Sequence, residues 1–144
     1  MKTVNWEKNH QKMRILVVDD QINVRKGLEA ILQLEIDIEI VGSASNGLEA
    51  VEFAEQLNPD IILMDLSMPH LDGYEAIRRI RTNNAPTAII AMDIQPGPNN
   101  IQYAMEAGAN NVIDKSNPDL NLIQIIRSNY PQPIQTICDQ HKNN

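Results

Sequence analysis

Cysteine is nearly missing from this 144-residue chain: Cys138 stands alone, so no internal disulfide can form and the fold must rest on its core. It lies in a polar tail with no base beside it, which makes it a bystander thiol. Residues 1–12 lack the apolar segment of a secretory signal, and no apolar run approaches the roughly 18 residues of a membrane-spanning helix. A reducing, cytoplasmic setting is expected. Cations are the minority, with 12 Lys and Arg against 19 Asp and Glu, and the resulting charge of -7 opposes nonspecific attraction to nucleic acid or anionic membranes. The short basic cluster Arg78, Arg79 and Arg81 is read as a solvated helix face. No glycine-rich phosphate loop follows any apolar run, and His10, His70 and His141 lack metal-ligand spacing. His70 is read as a solvent-facing turn residue.

What is present is a regular alternation. The chain is 42% hydrophobic, enough for one core at this length and too short for two domains. Strands are expected near Arg14–Val18, Ile38–Gly42, Ile61–Met64, Ala88–Met92 and Asn111–Ile113, separated by stretches of helical period. Continuous apolar strands suit a parallel sheet covered on both faces, so five βα units of an α/β fold are predicted. Helical faces are read from Val24, Leu28, Ile31 and Leu32, then Leu48, Val51 and Ala54, then Tyr74, Ile77 and Ile80. The fourth helix carries Ile101, Ala104 and Met105 on one side, with Gly108 as its stop. The fifth begins near Pro118 and packs through Leu122, Ile123 and Ile126. Residues 1–12 form an N-terminal extension, 13–130 the domain, and 131–144 a tail or the start of a linker, with Trp6, Ile134 and Ile137 available for local docking.

Charged residues stand where the apolar runs end: Asp19 and Asp20 after the first, Asp65 after the third, Lys115 after the fifth. In an open parallel sheet ligands bind outside the carboxyl ends of the strands, so these groups are expected to share one pocket. Adjacent carboxylates repel, and a Mg2+ ion relieves that repulsion while accepting a phosphate oxygen. The competing role for Asp20 is to cap the following helix. Asp65 precedes the turn-rich loop Leu66–Gly73, and a carboxylate so placed can act as a nucleophile toward phosphorus if metal and cation neutralise the transferred oxygens. Lys115 is the candidate cation, and nearby carboxylates favour its charged form.

Those residues give the chain its resemblance. Asp19-Asp20, the run Met64-Asp65-Leu66-Ser67-Met68-Pro69-His70-Leu71-Asp72-Gly73, the stretch Glu106-Ala107-Gly108-Ala109, and Lys115 resemble, in order and spacing, the receiver domain of two-component response regulators, from about Met13 to Asn129. The resemblance implies a flavodoxin-like, CheY-like doubly wound sheet of five parallel strands, order 2-1-3-4-5, with five helices. It implies Asp65 as phosphoacceptor from a sensor histidine kinase or phosphotransfer protein. Mg2+ is then held by Asp19, Asp20, Asp65 and the Ser67 backbone carbonyl, with Lys115 contacting the phosphate. Output is expected through altered contacts with a downstream effector, and self-association through the fourth or fifth helix, with Gln102 and Tyr103 at the surface. Such a chain is a phosphotransfer substrate with slow self-dephosphorylation and not an enzyme.

The switch departs from the family pattern. Receivers usually place a Thr or Ser hydroxyl near the end of the fourth strand, and alignment puts Ala91 there, followed by the bulky Met92, which is expected to shield Asp65 from donor or water. Val112 stands where many members carry an aromatic, and Ser116 where many carry proline. The loop Asp93–Asn99 is proline-rich and reads as slightly long. Phosphorylation with a weakened switch is the first reading; a pseudo-receiver that docks partners without phosphorylation is the alternative. An aspartyl phosphatase resembling the haloacid dehalogenases is disfavoured, because Ser67 stands where those enzymes carry a second Asp.

Overall fold

Five strands lie side by side in one parallel sheet, in the order β2-β1-β3-β4-β5. In the computed structural model, which describes residues 11–83, 85–116 and 121–130, they are β1 Met13–Val18, β2 Ile38–Ala44, β3 Ile61–Asp65, β4 Ala88–Asp93 and β5 Asn111–Asp114. The helices between and after them are α1 Ile22–Leu32, α2 Gly47–Leu57, α3 Gly73–Thr82, α4 Pro98–Ala107 and α5 Leu122–Asn129. The alternation of elements is the expected one; β1 begins one residue earlier than predicted and ends as predicted, and the other four strands run one or two residues past their predicted ends. Pro118, the residues 131–144 and most of the N-terminal extension lie outside the described residues.

Because side chains alternate across a strand, each apolar strand feeds two cores. Leu16, Val18, Ile62, Met64, Ile89 and Ala91 pack with α2, α3 and α4. Ile15, Val17, Ile61, Leu63, Ile90 and Met92 pack on the other face with Leu28 and Leu32 of α1 and Leu122 and Ile126 of α5. All five residues of β3 are buried, as a central strand covered on both sides requires. Each fully buried Leu or Ile contributes about 1.5 to 3 kcal/mol relative to exposure, so the sheet centre is where the fold is strongest.

Three predicted core residues face solvent instead. Leu48 is 54% exposed, because α2 packs through Gly47, Ala50 and Ala54. Ile101 and Met105 are also exposed, because α4 turns Ala104 and Ala107 inward. In both helices small side chains let the backbone approach the sheet closely, and the larger apolar residues are left on the adjoining arc.

Local chemistry sets the helix ends. Asn46 caps α2 by accepting from Glu49 N at 2.9 Å, and Asp72 caps α3 by accepting from Glu75 N at 2.9 Å. Gly108 ends α4 with φ 124°, a conformation that favours glycine. Arg81 closes over it: its guanidinium donates to the carbonyls of Gly108, Ala85 and Thr87 and to Asn110 Oδ1, at 2.6 to 3.0 Å. A Cβ on Gly108 would meet Arg81 Cγ at 2.5 Å. Gly108→Ala is therefore expected to cost about 2 to 3 kcal/mol from backbone strain and displacement of Arg81, read as a lower urea midpoint with unchanged slope.

Candidate functional site: an acidic pocket at the carboxyl edge of the sheet

Three strands end at one place. Asp19 follows β1, Asp65 is the last residue of β3, and Lys115 follows β5. Asp19 and Asp65 are completely buried, and the Lys115 side chain is 11% exposed. Its ammonium bridges the two, with Nζ 3.0 Å from Asp19 Oδ2 and 3.1 Å from Asp65 Oδ1. A cation shared by two buried carboxylates leaves one negative charge uncompensated.

The backbone fixes this arrangement. Asp19 N donates to Ala44 O at 3.1 Å, Asp19 Oδ1 accepts from Gln21 N at 2.9 Å, and Arg25 Nη1 donates to the Asp19 carbonyl at 2.6 Å. Asp65 Oδ1 also accepts from Ser67 N at 3.2 Å. The loop after Asp65 folds back tightly, with Gly73 N donating to Leu66 O at 3.2 Å. A side chain on Gly73 would collide with the Asp65 carbonyl and Leu66 Cα.

Asp65 Oδ2 differs from its neighbours, being buried with no hydrogen-bond partner. Carboxylate oxygens of Asp19, Asp20 and Asp65 lie within 4.8 Å of one another. Asp20 is exposed, and its carboxylate takes no part in capping α1, whose N-cap is Gln21. An orphaned buried oxygen inside three converging carboxylates is the donor set of a hard divalent cation such as Mg2+, so these residues fit that ion.

Electrostatics follow from burial. Loss of hydration, reinforced by the Asp19 charge, pushes the Asp65 carboxyl from 3.8 up to about 6 against the opposing pull of Ser67 N–H and Lys115. Burial alone would lower Lys115, but its hydrogen bond to Asp19 and the charges of both carboxylates outweigh that and raise it. It stays an ammonium.

The end of the fourth strand is not where alignment placed it. β4 continues two residues past Ala91, which is fully buried in the core beside α2, α3 and α4, so Ala91 is not the residue at the pocket. Met92 pairs with Asp65 across the sheet and turns its side chain into the opposite core with Ile15 and Ile113. Asp93 is the residue at the strand end, paired with Asp114. The following loop is short, because α4 starts at Pro98. Val112 is half-buried opposite Ala91. Asp114, unnoticed in the sequence, joins two loops: its Oδ1 accepts from Gln95 N at 3.1 Å, Ser116 N at 3.0 Å and Ser116 Oγ at 2.6 Å. Those bonds hold its carboxyl below the usual range. His70 is exposed, with φ 69°.

Residues 15–127 match the family described as the response regulator receiver domain. The chain belongs to that family. This receiver is 37% identical over 116 residues to the transcriptional regulatory protein LiaR of Bacillus subtilis, covering 81% of the chain and 55% of that protein. It spans about half the length of the curated relatives it matches. Among solved structures it is similar to the response regulator domain of Thermotoga maritima CheB, at 34% identity and TM-score 0.76, covering 85% of this chain and all of that one. It is also similar to a chain of the CheX-CheY-BeF3-Mg2+ complex from Borrelia burgdorferi, at 25% identity and TM-score 0.77, covering 86% and 92% of the two chains. The receiver has the CheY-like fold, and no helix among its described residues is long and apolar enough to cross a membrane.

The raised Asp65 has a measurable signature in EDTA. The unfolded chain releases this proton near 3.8 and the folded chain near 6, so the contribution to stability is complete below pH 3.8 and lost as pH rises through about 6. Urea midpoints of the wild type should fall relative to Asp65→Asn across that window and run parallel above it. Lys115→Met, which strands two buried carboxylates, should cost about 3 kcal/mol at pH 8 and less at pH 5.

Proposed function

We propose that this receiver accepts a phosphoryl group on Asp65 from a sensor histidine kinase or phosphotransfer protein, in a Mg2+-dependent reaction, and signals through altered contacts with a downstream effector. The observation that carries this reading is the state of the Asp65 carboxylate, with Oδ1 anchored by Lys115 and Ser67 N–H while Oδ2 is buried without a partner. In the transfer, a carboxylate oxygen of Asp65 bonds to phosphorus as the bond from phosphorus to the donor breaks, and the donor leaves with that electron pair.

Asp19, Asp20, Asp65 and the Ser67 carbonyl are the proposed Mg2+ ligands. When bound, Mg2+ supplies positive charge to the transferred oxygens and permits three carboxylates to stay ionised together. Lys115 is already held between Asp19 and Asp65, so contact with the phosphoryl oxygens asks little reorganisation of it. Gln21 N–H and Arg25 hold Asp19 in place, and Ser67 N–H orients Asp65. The Borrelia relative was solved with BeF3 and Mg2+, which supports the same chemistry here. The receiver unit is proposed to span 13–130 flanked by 1–12 and 131–144, and to act without an enzymatic activity of its own. Self-association through α4 or α5 is proposed to use Gln102 and Tyr103, both exposed.

Intact mass after incubation with acetyl phosphate and Mg2+ tests the assignment. One phosphoryl adduct is expected, absent from Asp65→Asn and from an EDTA control. No adduct under any condition, including a candidate histidine kinase as donor, would replace this reading with that of a phosphorylation-independent docking module.

A further inference from the structure

We propose that Asp93 restrains phosphorylation, its carboxylate opposing the arrival and the persistence of the phosphoryl group; this rests on the reading of Asp65 as acceptor. Asp93 is the last residue of β4, one position beyond the residue that pairs with Asp65. Its carbonyl accepts from Lys115 N at 2.8 Å, so its backbone is tied to the strand end that supplies the pocket cation. It lines a cavity of about 310 Å³ whose wall includes Leu66 and Ser67, the two residues directly after Asp65. A group built outward from Asp65 thus shares this end of the sheet with Asp93.

Charge decides what Asp93 does there. Among the described residues its Oδ1 accepts only from Ile94 N, at 2.9 Å, and no Lys or Arg pairs with it. The other carboxylic acid lining the cavity is Asp72. Lys115 pairs with Asp19 and Asp65 and forms no ion pair with Asp93. Phosphorylation replaces the single charge of the Asp65 carboxylate with an acyl phosphate carrying up to about two, and a carboxylate at position 93 offers it repulsion and no hydrogen, where a Thr or Ser would donate. The same repulsion faces any small anionic donor entering the cavity.

In the reaction with acetyl phosphate, an Asp65 oxygen bonds to phosphorus, the bond from phosphorus to the acetyl oxygen breaks, and acetate leaves with the electron pair; no proton or electron is gained overall. Adduct formation would be followed by intact mass at fixed Mg2+ and subsaturating acetyl phosphate in the wild type, Asp93→Asn, Asp93→Thr and Asp93→Glu, each checked for an unchanged thermal midpoint. Asn and Thr should raise the initial rate and the steady-state occupancy about tenfold, while Glu stays at the wild-type level. Added KCl should speed the wild type more than Asp93→Asn, because screening weakens only a charge that is present. Adduct in Asp93→Asn but none in the wild type also supports restraint, provided that it disappears in the double variant with Asp65→Asn. Equal rates in all four with equal salt response would overturn the role of Asp93 and leave Asp65 as acceptor. No adduct in any of them, with acetyl phosphate or kinase, would overturn the acceptor assignment and this inference with it.

Discussion

One ammonium between two buried carboxylates is the constraint around which the molecule is arranged. Lys115 reaches Asp19 and Asp65 from the opposite edge of the sheet, so β1, β3 and β5 must end in register for the pair of contacts to exist. Burying charges is costly unless geometry is tight and hydrogen bonds satisfy the remaining lone pairs. Here Gln21 N–H and Ser67 N–H serve one oxygen each, and Asp65 Oδ2 is left out. The deficit is local, directional and chemically specific. A protein selected only for stability would have little reason to keep it.

The rest of the fold makes that deficit affordable. β3, which ends at Asp65, is buried along its whole length, so that carboxylate is mounted on a strand covered on both faces. The loop beyond it is pinned by the capped start of α3 and by the close approach of Gly73, for which no larger residue has space. On the opposite side of the pocket, Asp114 ties the β4–α4 loop to the residue after Lys115. The loop after Asp65 is also held by apolar packing, with Leu66 and Met68 buried in the core.

Much of this was legible in the sequence because strands of a parallel sheet advertise themselves as unbroken apolar runs, and their chemistry collects at one end of each run. Asp19, Asp65 and Lys115 could be brought together on that logic alone. Leu48, Ile101 and Met105 misled because helical spacing shows an apolar arc without saying which part of it faces inward. The small residues Gly47, Ala50, Ala104 and Ala107, weak in hydrophobicity, won those places by allowing close approach. The end of β4 was misplaced for a related reason. Ala91 and Met92 look like a strand end next to Asp93, but the hydrogen-bonded ladder runs through Asp93 to Asp114. Arg81 was read as part of a solvated face, yet its guanidinium satisfies four acceptors, two just ahead of β4 and two beyond α4, a role with no sequence period.

The pairing of β1 with β2 slips by one residue, Ile15 facing Ile40 while Leu16 faces Gly42, so Val41 is an unmatched insertion in an edge strand. Such a bulge increases twist and interrupts the regular spacing of free amide and carbonyl groups along the outer rim. With Glu39 exposed on the same strand, that rim is a poor template for a second sheet to extend. The opposite rim, β5, is only four residues long. Among the described residues, both rims of the open sheet are thus poor templates for strand-by-strand extension by a second copy.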